Sequence, residues 1–151
     1  MKNLFCYLLV LMTINLFGQK KVLDHPDFDI WNSIQRSNIS STGDYIIYSV
    51  VKGEKDSELK IKDNKGKLIF KHDRSENNQF TYDSKFVVFS VKAWKDSIVE
   101  MKRRKVKKDK MPMDTLAIYN LQNNILNKIP NIKSYKVPEK WPGYVAYHYD
   151  V

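Results

Sequence analysis

Apolar and polar positions alternate along this chain in a pattern that returns. The segment Ile39-Ser40-Ser41-Thr42-Gly43-Asp44-Tyr45-Ile46-Ile47-Tyr48-Ser49-Val50 is matched 41 residues later by Phe80-Thr81-Tyr82-Asp83-Ser84-Lys85-Phe86-Val87-Val88-Phe89-Ser90-Val91. In each copy a polar turn feeds an apolar run of strand length. The core of the pattern appears a third time as Gly143-Tyr144-Val145-Ala146-Tyr147-His148-Tyr149, which places Tyr147 58 residues beyond Phe89. A lysine-rich insertion over residues 93–113 accounts for the longer second interval. Between the copies lies a second repeated element. Leu59-Lys60-Ile61-Lys62-Asp63-Asn64-Lys65-Gly66-Lys67-Leu68-Ile69-Phe70 matches Leu116-Ala117-Ile118-Tyr119-Asn120-Leu121-Gln122-Asn123-Asn124-Ile125-Leu126-Asn127, and period-two apolar positions around a Gly or Asn turn predict a hairpin in each.

A unit of about 40 residues holding several short strands is the signature of a β-propeller blade, because one small sheet cannot bury both faces until neighbours stack on it. The expected fold is therefore all-β: a partial β-propeller of about two blades over residues 39–151, with a basic insertion at 93–113. Tyr45-Ile46-Ile47-Tyr48 and Phe86-Val87-Val88-Phe89 are continuous apolar runs and predict inner strands buried on both faces. Ahead of them, Phe28, Trp31 and Ile34 fall at spacing three after Pro26, so residues 20–38 are expected to form a short N-terminal helical segment with one apolar side.

Lys2 followed by the apolar residues of 4–17 and the small residue Gly18 predicts a secretory signal peptide over residues 1–19, and hence export to the periplasm or the extracellular space. The apolar run is shorter than the ~20 residues of a membrane span, so no permanent membrane anchor is expected. Removing the leader removes Cys6, the single cysteine. The mature chain then has no disulfide, thiol nucleophile or cysteine metal site.

The net charge of +9 changes the picture less than it first suggests. Lys102, Arg103, Arg104, Lys105, Lys107, Lys108 and Lys110 concentrate most of it in one segment, relieved only by Asp109. Ser97-Ile98-Val99-Glu100 has the form of a capping box and Pro112 ends the segment, so an exposed basic helix is expected over 98–110. No aromatic residues interleave this run, and an exported chain is not expected to bind nucleic acid.

Catalytic motifs are missing from the sequence. No two of the five glycines lie four apart, which excludes a G-x-S-x-G elbow, and neither a Walker loop nor a dinucleotide fingerprint occurs. His25, His72 and His148 stand singly, with no pair at metal-ligand spacing. Asp24, Asp27 and Asp29 crowd one turn but lack the Gly and Glu of a calcium loop, and charge complementarity at a helix N-terminus accounts for them. No catalytic, cofactor-binding or metal-binding residue is assigned, and no cofactor is expected.

The order of several segments carries a resemblance. Lys20-Lys21-Val22-Leu23-Asp24-His25, Phe28-Asp29-Ile30-Trp31, Ile39-Ser40 with Gly43, Phe80 with Asp83-Ser84 and Phe86-Val87-Val88-Phe89, then an insertion ending Met111-Pro112-Met113-Asp114-Thr115-Leu116, resembles the N-terminal region of secreted prolyl oligopeptidase family (S9) serine peptidases of Bacteroidetes-type bacteria. The resemblance implies a propeller of seven or eight blades covering a C-terminal α/β-hydrolase domain that holds the Ser, Asp and His of a triad. It also implies peptide substrates that the propeller filters. No position here matches the triad motifs, and Asp150-Val151 comes directly after a strand. The expectation is a truncated propeller portion of such a peptidase, not catalytic alone, whose partners are the remaining blades and the hydrolase domain. The alternative is a small periplasmic β-sheet binding protein that contacts an acidic partner through the basic helix.

Overall fold

The computed structural model describes residues 23–24, 27 and 30–149. The expected signal peptide, Cys6, His25, Phe28 and Asp29 lie outside the described residues.

Two antiparallel meanders succeed one another along the chain. The first sheet contains β1 (Asn32–Ile39), β2 (Tyr45–Lys52), β3 (Glu58–Asp63) and β4 (Leu68–Asp73), in that spatial order. The second contains β5 (Ser75–Phe80), β6 (Phe86–Val91), β7 (Asp114–Asn120), β8 (Leu126–Lys136) and β9 (Ala146–Tyr149), again in chain order. One helix, α1 (Lys95–Arg103), lies between β6 and β7 and is succeeded by a short 3-10 turn, Lys108–Lys110.

The register repeats with the sequence. In the first sheet Gln35 faces Ser49 and Asn38 faces Ile47, with a shift between the two pairs. In the second, Glu76 faces Ser90 and Gln79 faces Val88, with the same shift. Each of these residues lies 41 positions beyond its counterpart. The turns repeat as well. Ser40 N–H donates to Tyr45 O at 2.9 Å and Tyr45 N–H to Ser40 Oγ at 3.0 Å, while Thr81 N–H donates to Phe86 O at 3.0 Å and Phe86 N–H to Thr81 Oγ1 at 3.1 Å. The turn closes through a left-handed residue, Gly43 at φ 76° and Ser84 at φ 54°. Glycine reaches that region without strain, and Ser84 is held there by its own N–H donating to Thr81 O at 2.9 Å.

The sheets stack face to face. Ile47, Leu59 and Ile61 of the first sheet meet Val87, Phe89, Val91, Ala117 and Tyr119 of the second in one buried cluster. Phe70 stacks on Tyr119 with ring centres 4.0 Å apart. On the far side of the second sheet, Val88 and Leu116 form another cluster with Ile132 and Val137, against which Tyr135 and Val145 pack. The first half of β8 pairs with β7 and the second half pairs with β9. The long strand thus joins β9 to the rest of the second sheet.

Three expectations change. From Asn32 onward, the helical segment expected over 20–38 is strand β1, paired along β2. Spacing of three at Trp31 and Ile34 is outweighed by an available strand edge that satisfies the backbone donors and acceptors of 32–39. Strand β6 is covered on both faces as expected, but β2 is not, since Ile46 on its outer face is exposed. The insertion helix begins three residues before the expected Ile98, because Lys95 N–H finds the Asp56 carboxylate at 3.2 Å, a cap supplied from the first sheet instead of from Ser97. It ends at Arg103. Lys105 turns left-handed at φ 55°, its N–H donates to Lys102 O and Val106 N–H to Met101 O, both at 3.0 Å, which is the Schellman closure.

Candidate inner-edge cavity

Both first strands, β1 and β5, are edge strands, and their bulges aim residues at one another. Arg36 and Asn77, 41 residues apart, are the left-handed residues of the two bulges, at φ 50° and 54°. The Arg36 guanidinium donates to Asn77 Oδ1. Tyr135, on the second half of β8 and 58 residues beyond Asn77, donates its hydroxyl to Asn77 O. Equivalent positions of three successive units therefore touch along one edge of the stack. Burial pushes the Tyr135 phenol well above its ordinary range, with the Asp114 carboxylate adding to the shift and Arg36 opposing it. It remains a neutral donor at any physiological pH.

Beside this ladder is a cavity of about 400 Å³ bounded by Asn77, Asn78, Gln79, Lys92, Asp114 and Tyr135. The Lys92 ammonium lies 2.5 Å from Asp114 Oδ2 and 3.9 Å from Glu76. These three residues also border a cleft of about 630 Å³ beneath α1, lined by Ile98, Val99 and Lys102. The insertion leaves the sheet after β6 and returns at β7, and the cleft beneath its helix adjoins the inner-edge cavity through Lys92 and Asp114, which border both. Its foot is fixed to the first sheet. The Arg74 guanidinium lies 4.4 Å from the Trp94 ring centre, and Lys95 Nζ donates to Lys55 O at 2.5 Å. Beyond the foot the helix buries no residue, and Glu100 pairs with Arg103 at 3.8 Å and Arg104 at 2.8 Å.

One pair has the outline of a nucleophile and a base. His72 Nδ1 lies 3.1 Å from Ser75 Oγ. The same nitrogen lies 2.7 Å from Asp73 O, which can only accept, so Nδ1 carries the proton and cannot take one from Ser75. The Ser75 hydroxyl donates to His72 O at 3.0 Å and is fully buried. Desolvation lowers the His72 pKa against the smaller upward pull of its bond to Asp73 O, and the ring packs beside Phe70 and Phe89. This is a structural histidine. His148 is exposed on β9. Asp24 N–H donates to the Asp27 carboxylate at 2.9 Å, and Asp27 N–H returns to Asp24 O, a local turn. Among the described residues no group of His, Cys, Asp and Glu is placed to hold a metal ion, and no helix is long and apolar enough to cross a membrane.

The inner-edge ladder escaped sequence reasoning because its members share a position and not a chemistry. The repeat would have revealed it had the 41- and 58-residue offsets been applied to polar residues. No protein family, curated protein or solved structure matches the chain.

Proposed function

We propose that the chain is a partial β-propeller, the substrate-gating portion of an exported S9-type serine peptidase, and is not catalytic by itself. The observation that carries the reading is the repeated register. Two meanders with the same bulge 41 residues apart stack so that Arg36, Asn77 and Tyr135 meet on a shared inner edge, as first strands do around a propeller axis. The polar cavity along that edge, with a cleft beneath a charged helix beside it, suits a passage that sorts peptides by size and charge. The internal pairing of Arg103 and Arg104 with Glu100 favours a solvated helix over one built to grip an acidic partner.

The decisive experiment has two arms. Sequencing the genomic locus is expected to show further ~40-residue repeats and a G-x-S-x-G segment in the same polypeptide. The purified 151-residue chain is expected to hydrolyse no prolyl or other peptide substrate. Turnover that survives purification and disappears with one substitution in this chain would overturn the reading, as would unrelated sequence at the locus.

A further inference from the structure

The charges lining the inner-edge cavity do not cancel. Its walls carry three cations, Arg36, Lys92 and Lys133, against one carboxylate, Asp114. That carboxylate is committed, since its Oδ2 lies 2.5 Å from the Lys92 ammonium, which also reaches Glu76 at 3.9 Å. Among the described residues no carboxylate ion-pairs with Arg36. Its guanidinium gives one N–H to the neutral Asn77 amide, and a guanidinium has five. The side chain is exposed yet tethered, because Asn77 is itself held by the Tyr135 hydroxyl. A tethered planar fork with donors to spare, at the wall of a cavity, matches the geometry of a carboxylate.

The wall beside it lacks a donor. Asn78 also lines the cavity and is only 8% exposed. Its Nδ2 donates to Ser49 Oγ at 2.6 Å, while its Oδ1 has no partner among the described residues. A buried carbonyl oxygen without a donor is unfavourable, and an N–H entering through the cavity would relieve it. Gln79 adds a second amide to the same lining. The ligand that answers both walls carries one negative charge with an N–H close to it. Asp114 works against a doubly charged group, which it would repel more strongly. A volume of about 400 Å³ lies at the small end of ligand sites and suits one or two residues of a peptide.

We propose that the inner-edge cavity binds a peptide carboxylate together with its adjoining amide, Arg36 receiving the carboxylate and Asn78 the amide N–H. This rests on the peptide-sorting reading for the choice of a peptide as carrier, and it names the group that is sorted. The test is saturation-transfer difference NMR with the purified full chain, which reads the ligand and tolerates an oligomeric protein. Acetyl-Ala-Ala is expected to bind, and its C-terminal amide to bind roughly tenfold more weakly for want of the charge-assisted fork. Acetyl-Asp-amide carries the carboxylate on a side chain instead, and the stronger signal of the two acids identifies the source. N-methylation of the last amide, which removes the donor to Asn78, is expected to weaken binding roughly threefold. Arg36→Gln should weaken it roughly fivefold, and Arg36→Lys, which keeps the charge without the fork, less. Asp114→Asn should tighten it roughly twofold by releasing the Lys92 ammonium, an effect opposite to that of misfolding. Lys65→Gln, at an exposed turn outside the cavity, should change nothing, and circular dichroism checks the fold of each variant. Absence of binding, equal binding of acid and amide, displacement by an equal concentration of inorganic phosphate, or indifference to Arg36→Gln in a folded variant would overturn the proposal. Its failure is distinguishable from that of the peptidase reading. Carboxylate binding by a chain whose locus encodes no hydrolase keeps the site and removes the peptidase, and a hydrolase at the locus with no binding does the reverse.

Discussion

Lys105 holds the left-handed conformation that ends α1, at φ 55°, a region in which a side chain costs about 1 kcal/mol that glycine does not incur. Lys105→Gly is therefore expected to raise stability by roughly 0.5–1 kcal/mol, read as a shifted urea midpoint at constant slope. His72 gives a pH-dependent counterpart. Its folded pKa lies below the unfolded value of 6.5, so the unfolded chain binds more protons in the interval between the two. The stability associated with neutral His72 is complete above the unfolded value and is lost as pH falls through the folded one. The melting temperature should drop between pH 7.5 and 5, and His72→Asn, which keeps a donor for Asp73 O but does not titrate, should flatten the drop. An unchanged pH profile in that variant would show that other groups set it. At this scale the sequence was least legible: a lone histidine gives no sign of the carbonyl that fixes its tautomer. Nor do an arginine and an asparagine reveal that they share a bulge position, or that a tyrosine further along the chain reaches it.

Strands with an apolar face were legible and strands without one were not. The runs of β2 and β6 and the hairpins β3–β4 and β7–β8 arise from alternation and turn residues. By contrast β1 reads Asn-Ser-Ile-Gln-Arg-Ser-Asn-Ile, within the stretch expected to be helical, and β5 reads Ser-Glu-Asn-Asn-Gln-Phe, a composition that suggests a loop. They are extended because β2 and β6 offer paired edges, a tertiary cause that local pattern cannot carry. The same holds for the start of α1, which Asp56 sets from another sheet. The exposed remainder of that helix should matter little to folding. Replacing Lys102, Lys105, Lys107 and Lys108 by Gln is expected to change stability by no more than about 0.5 kcal/mol, since surface substitutions seldom do more. Trp94→Ala removes the ring under Arg74 and should cost about 1 kcal/mol. Urea titrations of the two variants check both halves, and a larger loss in the lysine variant would place the helix body in the core.

The whole molecule is a stack with one satisfied interface and one bare end. The inner interface holds most of the fully buried side chains, among them Phe89, Ile47, Leu59 and Ile61. At the outer end Ile34, Ile39 and Ile46 stay in contact with water, and at the inner edge β1 presents an unsealed strand. Contiguous apolar surface and open strand edges both favour association, because each gains by burial what the monomer leaves exposed. The two sheets are joined by that apolar cluster and by polar links such as Asn78 Nδ2 to Ser49 Oγ at 2.6 Å, but the first sheet is packed on one face and the second on both, so less burial holds the first. The purified chain is accordingly expected to be oligomeric or aggregation-prone, with a broad thermal transition. Light scattering coupled to size exclusion and a melt tracked by circular dichroism measure the two properties separately. A soluble monomer at high concentration with a sharp melt would mean that the two sheets already form a complete domain, and would favour a small exported binding protein over a portion of a peptidase.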